Sequence, residues 1–175
     1  MRRLASPDTW TYRPDIVDKG SRDTVLQDPQ ASPGAGLPIR VLLAEDDDDH
    51  VTLLRRALRG YPREIELTVA RDGQEAVEFL RARTESRPDL ILLDMNMPKL
   101  TGLEVLRTVK STDTLDAIPT VMLTTSARDE DRAASMTSGA DDYIIKPVNF
   151  RKFSEAMYAL LDRFDAFGHG GNGVA

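Results

Sequence analysis

Five residues stand where apolar runs give out. Glu45 and Asp46 follow IRVLLA (39–44), Asp94 ends DLILLD (89–94), Thr124 lies in PTVMLTTS (119–126), and Lys146 closes DDYIIKP (141–147). A buried strand does not end by carrying a carboxylate out of the core without some use for it. Three carboxylates brought together repel: at about 4 Å and an effective dielectric near 20, each pair costs roughly 4 kcal/mol. Two cations could offset that, a hard divalent ion and the Lys146 ammonium. Few oxygen ligands in a partly open site suit Mg²⁺ better than zinc or copper.

These residue types have one joint use in phosphoryl transfer. A divalent ion neutralises phosphoryl oxygens, a hydroxyl and an ammonium hold the others, and a carboxylate accepts the group. Each residue also has a plainer reading by itself. EDDDD reads as a solvated acidic loop, Thr124 as a strand-end hydroxyl bonding its own backbone, Lys146 as a surface lysine, and Tyr143 as a half-buried strand aromatic. The shared placement at strand ends favours the joint reading. A calcium loop fails, because DDDDHV has no glycine at its sixth position and Ala57 stands where the twelfth-position glutamate belongs. A dinucleotide site fails because no glycine-rich turn follows the first strand.

The elements that must position these residues alternate regularly from Pro38 onward. Apolar or alternating stretches at 39–44, 64–70, 89–94, 118–126 and 141–147 read as strands. Stretches at 50–60, 72–83, 101–111, 127–139 and 149–164 read as helices. Their inward residues are Val51, Leu54 and Leu58, then Ala76, Val77 and Leu80, then Leu103, Leu106 and Val109. The last helix, with Asn149 as N-cap, turns Phe150, Phe153, Met157, Leu160 and Phe164 inward. Five βα units predict an α/β fold, a doubly wound parallel sheet covered on both faces. A strand order of 2-1-3-4-5 would gather Glu45, Asp46, Asp94 and Thr124 in one cleft outside the carboxyl ends, with Lys146 at its far wall.

Composition bounds the alternatives. The chain has 175 residues, 41% hydrophobic and 30% charged, with a net charge of −6. That balance suits one soluble domain and argues against a nucleic-acid surface. Without cysteine there are no disulfides or thiolate metal sites, and two histidines, His50 and His169, are too few for a histidine-built zinc site. No apolar run reaches transmembrane length, and MRRLASPDTW lacks the apolar core of a signal peptide, so a cytoplasmic location is expected. Residues 1–37 differ from the rest: four Pro, three Gly and three Ser, with five basic and five acidic residues that cancel. Two readings stay open for them, a mostly disordered tail with a linker at SPGAGLP, or an arm docking Trp10 and Tyr12 on this domain or a partner. Residues 38–165 form the domain, and 166–175 read as a flexible tail.

VLLAEDD, LILLDMNMPKLTG, PTVMLTTS and DDYIIKP, in that order, resemble the receiver domain of bacterial two-component response regulators. The spacings of 30 residues from Asp94 to Thr124 and 52 to Lys146 are also similar to the family's. The resemblance covers residues 38–165 and implies a flavodoxin-like (βα)5 fold. It implies that Asp94 is phosphorylated by a histidine kinase in the presence of Mg²⁺. Asp46 would touch the ion directly, Glu45 through water, and Asn96 through its backbone carbonyl. Lys146 would bond the phosphoryl group, Thr124 would follow it, and Tyr143 would turn inward as the switch. Asn96 and Ser126 flank the line of water attack and are candidates for tuning dephosphorylation.

LTTS, the KPVNF continuation and the expected lack of an output domain are similar to the stand-alone regulators paired with bacterial phytochromes. That similarity implies a phytochrome kinase as partner, a phosphotransfer or target protein downstream, and a homodimer through the fourth helix, fifth strand and fifth helix. Neither nucleic acid nor membrane is expected as a partner, and no enzymatic turnover beyond self-phosphorylation and autodephosphorylation. Two rival readings remain. One is a receiver-like interaction module that is not phosphorylated. The other is an aspartate-nucleophile phosphatase, disfavoured because Asn96 stands where its D-x-D motif needs the second acid.

Overall fold

A computed structural model of the chain describes residues 8–12, 37–82 and 87–168. Six strands form one sheet: β1 (Asp8–Tyr12), β2 (Ile39–Ala44), β3 (Ile65–Ala70), β4 (Leu90–Leu93), β5 (Thr120–Thr124) and β6 (Asp142–Ile145). Their order is β1-β3-β2-β4-β5-β6, and every pairing except β1 with β3 is parallel. Counted alone, the five parallel strands run 2-1-3-4-5, the flavodoxin-like order expected. Five helices connect and cover them: α1 (Asp48–Leu58), α2 (Gly73–Ala82), α3 (Gly102–Lys110), α4 (Asp129–Thr137) and α5 (Phe150–Gly168).

Alternation of side chains along each strand divides the core in two. Val41, Leu43, Leu90, Leu92, Val121 and Leu123 face one way, onto Val51 and Leu54 of α1 and Phe153, Met157 and Leu160 of α5. Leu42, Ala44, Ile91, Leu93 and Met122 face the other way, onto Ala76 and Leu80 of α2 and Val105, Leu106 and Val109 of α3. All four residues of β4 are buried because helices cover both of its faces. Each such leucine contributes about 1.5–3 kcal/mol by leaving water, so the central strand cannot slide to relieve strain at its end.

The principal differences from the sequence reading are two helix ends, one inward residue and one whole strand. The first helix starts at Asp48, earlier than the expected 50, because Asp47 caps it: its carboxylate accepts from the backbone N–H of Asp49 at 2.8 Å and of His50 at 3.3 Å. Much of the acidic run therefore serves the positive end of this helix. Leu103 on α3 is only partly buried, and Val105 takes the inward place. The last helix runs to Gly168, past the expected end at Phe164, and the remainder of the expected tail lies outside the described residues. Within the N-terminal segment, where no strand was expected, residues 8–12 pair antiparallel with β3, from Asp8 opposite Val69 to Tyr12 opposite Ile65. The remainder of residues 1–36 lies outside the described residues.

Candidate functional site

Parallel register brings the carboxylates together. Ala44 pairs with Leu93, so the next residues, Glu45 and Asp94, leave their strands side by side. The Asp94 amide donates to the Ala44 carbonyl at 3.0 Å, and the Glu45 amide to the Ala70 carbonyl at 2.9 Å. On the far side Thr124 pairs with Ile145, and the Lys146 amide donates to the Thr124 carbonyl at 2.7 Å. The ends of four adjacent strands, β2, β4, β5 and β6, thus bring Glu45, Asp94, Thr124 and Lys146 to one edge of the sheet, as the strand order required.

The side chains then meet directly. Lys146 Nζ stands 2.5 Å from Glu45 Oε2 and 2.9 Å from Asp94 Oδ1. All three are sheltered, with side chains 6%, 2% and 9% exposed. Asp46 is exposed, and one carboxylate oxygen each from Glu45, Asp46 and Asp94 lies within 4.8 Å of the others. One ammonium against three carboxylates leaves an excess of two negative charges. The set offers only hard oxygen donors, and one member faces solvent. It fits a divalent cation of the Mg²⁺ or Mn²⁺ kind.

The loop beyond Asp94 is built tightly against it. Asp94 Oδ2 accepts the backbone N–H of Asn96 at 2.9 Å, which fixes the carboxylate plane and holds the Asn96 backbone beside the site; the Asn96 side chain is exposed. Lys99 takes a left-handed φ of 64° and bridges to Asp72. Thr101 caps α3, accepting from the Glu104 amide while Glu104 accepts from the Thr101 amide. Gly102 follows, and a Cβ there would lie 2.0 Å from the Asp94 carbonyl oxygen. Only glycine lets the start of α3 approach Asp94 this closely.

Thr124 and Tyr143 belong to a second network next to the first. Thr124 is fully buried, and its Oγ1 accepts the Ser126 N–H at 3.1 Å. The Ser126 hydroxyl donates to Asp131 Oδ2 at 2.6 Å, and Arg128 Nε reaches the same oxygen at 3.0 Å. The Ser126 hydrogen bond, then the Arg128 charge, holds the Asp131 carboxyl below its ordinary range despite some desolvation. Tyr143 is buried on β6 and donates its hydroxyl proton to the Ser126 carbonyl at 3.0 Å. Burial pushes the Tyr143 phenol up, so it remains a donor. The Arg132 guanidinium lies 5.8 Å over its ring.

Of the residues singled out in the sequence, Glu45, Asp46, Asp94 and Lys146 form one cluster, with the Asn96 backbone bonded to it. Thr124, Ser126 and Tyr143 form the neighbouring network, joined through the Thr124–Lys146 backbone bond. Sequence reasoning missed two members. His50 places Nδ1 3.1 Å from Glu45 Oε1 and 3.2 Å from Lys146 Nζ. Asp131 ties down Ser126. A signal existed for His50, which sits in the first turn of a helix capped by Asp47, at the end of the acidic run that begins with Glu45 and Asp46. Asp131 gave none, since five residues of separation matches no regular helical contact.

Comparison with known proteins places this architecture. Residues 41–158 match the response regulator receiver domain family, and the chain belongs to that family. Transcriptional regulatory protein PrrA of Mycobacterium tuberculosis is 40% identical over 126 residues, which are 71% of this chain and 50% of PrrA. The chain thus spans about half the length of the curated relatives it matches first. Among solved structures, the phosphorylated cyanobacterial phytochrome response regulator RcpA superposes with a TM-score of 0.70 at 34% identity, over 75% of this chain and 97% of RcpA. The Mn²⁺-bound form of response regulator Rcp1 gives a TM-score of 0.65 at 35% identity, over 71% of this chain and 93% of Rcp1. Among the described residues, no helix is long and apolar enough to cross a membrane.

Proposed function

We propose that this receiver domain accepts a phosphoryl group on Asp94 from the phosphohistidine of a sensor kinase, and that this charge switches its contacts with other proteins. The observation that carries the reading is the buried contact of Lys146 with both Asp94 and Glu45 beside the exposed Asp46. A carboxylate oxygen of Asp94 attacks phosphorus, an acyl phosphate bond forms, and the P–N bond to the kinase histidine breaks. Asp46, Glu45, Asp94 and the Asn96 carbonyl would hold Mg²⁺, which when bound offsets charge on the phosphoryl oxygens.

The remaining work falls to the chain's own groups. Lys146, already at Asp94, needs only a small rotation to bond a phosphoryl oxygen. The added charge, about one further negative unit, also draws the Thr124 hydroxyl, which must give up the Ser126 amide. That release reaches Tyr143 through the Ser126 carbonyl, so Thr124 and Tyr143 act as the switch. Asn96, exposed beside Asp94, and Ser126 are placed to tune the lifetime of the phosphorylated state. The chain acts as a signalling protein whose chemistry is confined to its own aspartate.

The likeness to phytochrome response regulators supports a bacterial phytochrome as the kinase, a phosphotransfer or target protein downstream, and a homodimer through α4, β6 and α5. Met136 on α4 and Ile145 on β6 expose apolar surface there, at 45% and 43%. Such a pathway runs in the cytoplasm. The test is labelling by acetyl phosphate with Mg²⁺. Wild type should incorporate one phosphoryl group per chain, and Asp94→Asn none; incorporation by Asp94→Asn at the wild-type rate would overturn the assignment.

A further inference from the structure

His50 has no part in the mechanism above, yet its ring touches both halves of the buried ion pair. Nδ1 lies 3.1 Å from Glu45 Oε1 and 3.2 Å from Lys146 Nζ. A carboxylate only accepts and an ammonium only donates, so Nδ1 can serve one of them at a time. With its proton on Nε2 the ring accepts from Lys146; with its proton on Nδ1 it donates to Glu45. Both states are neutral, and the exchange between them changes no charge.

Glu45 is the residue that depends on this choice. Its side chain is 2% exposed, and its Oε2 has Lys146 at 2.5 Å. Among the described residues its Oε1 has the His50 ring, and beyond that only a long contact from the Asp47 amide at 3.4 Å. A cation entering beside Asp46 would repel Lys146 from Glu45, and a phosphoryl group on Asp94 would draw it toward itself. A buried carboxylate stripped of its partner costs far more than the hydrogen bond was worth. His50 is already within reach of the opposite oxygen. Its backbone is fixed as well, since its N–H is bonded to the Asp47 cap of α1.

We infer that His50 is a positioning residue that donates Nδ1–H to Glu45 once Lys146 is drawn off, and so keeps Glu45 oriented for the divalent ion. Partners of ligating carboxylates in this relation change metal affinity by about 10- to 100-fold when removed. The inference rests on the reading of Glu45, Asp46 and Asp94 as the ion's ligands, and the test separates the two.

Free Mn²⁺ is counted by its electron paramagnetic resonance signal as full-length protein is titrated, with circular dichroism checking each variant's fold. Wild type should take up one Mn²⁺ per chain. His50→Leu should bind about tenfold more weakly. His50→Asn should stay within about twofold of wild type, because its side-chain amide nitrogen falls where Nδ1 does. No Mn²⁺ uptake by wild type would overturn the metal reading itself. Uptake by wild type with equal affinity in His50→Leu would overturn the role of His50 alone. Equal losses in His50→Leu and His50→Asn would also overturn it, since a donor at that point would then not be what matters.

Discussion

The Lys146 ammonium reaches Asp94 Oδ1 at 2.9 Å across the width of β5, although 52 residues separate the two in sequence. It reaches Glu45 at the same time, at 2.5 Å. Both carboxylates are buried, so this one cation sets the electrostatic balance of the site.

Lys146→Met should therefore remove the one ammonium that two buried carboxylates share. Breaking a buried pair by removing one partner typically costs about 3–5 kcal/mol. Saturating Mg²⁺ should recover part of the loss, because an ion beside Asp46 supplies the missing positive charge. Urea unfolding with and without Mg²⁺ measures both effects. A variant as stable as wild type in the absence of Mg²⁺ would show that the pair contributes nothing.

Gly102→Ala tests how tightly Asp94 is held. The new Cβ would meet the Asp94 carbonyl oxygen at 2.0 Å and the Met122 methyl at 2.9 Å; the methyl can move aside, but the Asp94 backbone has little room to yield. Overpacking of this kind costs about 1–3 kcal/mol. Because the clash is with Asp94 itself, phosphorylation by acetyl phosphate should slow as well as stability fall. Normal labelling kinetics in a destabilised Gly102→Ala would mean that the position of Asp94 is not critical to within that displacement.

Acid should release the loop between β5 and α4. The Asp131 carboxyl is held below its ordinary value of 3.8, first by the Ser126 hydroxyl and then by Arg128. A carboxyl lowered in the folded state adds stability that is complete above its unfolded value. That contribution shrinks as pH falls from about 3.8 through the lower native value. The Ser126 and Arg128 amide resonances should follow this titration in wild type and lose it in Asp131→Asn. Identical titrations in the two proteins would remove Asp131 from the network.

The edge strand makes a separate prediction. β1 covers one side of β3 through five paired positions, from Asp8 opposite Val69 to Tyr12 opposite Ile65. A chain truncated to begin at Gly36 keeps all five parallel strands and leaves the outer side of β3 open. Hydrogen exchange of β3 amides should quicken, and the truncated chain should self-associate more readily at high concentration. Unchanged β3 exchange would show that β1 does not protect that edge in solution.

Where the strands end, and so which residues reach the mouth of the sheet, was legible from local pattern. The 2-1-3-4-5 order was expected only as the arrangement that would gather Glu45, Asp46, Asp94 and Thr124 with Lys146 at the far wall, and through the resemblance to receiver domains. Apolar runs of four to six residues, each broken by a charged or hydroxyl residue and each followed by a 3.6-residue period, mark strand ends wherever they occur. Strand β1 escaped because DTWTY has β-prone residues but no apolar alternation, and a proline-rich surrounding argued for a linker. Its partner, β3, supplies the pairing that makes it a strand, and pairing is non-local.

The sequence by itself thus determined which residues would stand at the mouth of the sheet. It did so because period-2 and period-3.6 patterns are properties of neighbouring residues. Only the tertiary structure decided how those residues share their partners. Lys146 chooses Glu45 together with Asp94, His50 leans on both halves of that pair, and Ser126 is tied to Asp131 while its carbonyl holds Tyr143. Distances of about 3 Å between side chains from different loops depend on register, caps and close backbone approach, and no sequence interval encodes them.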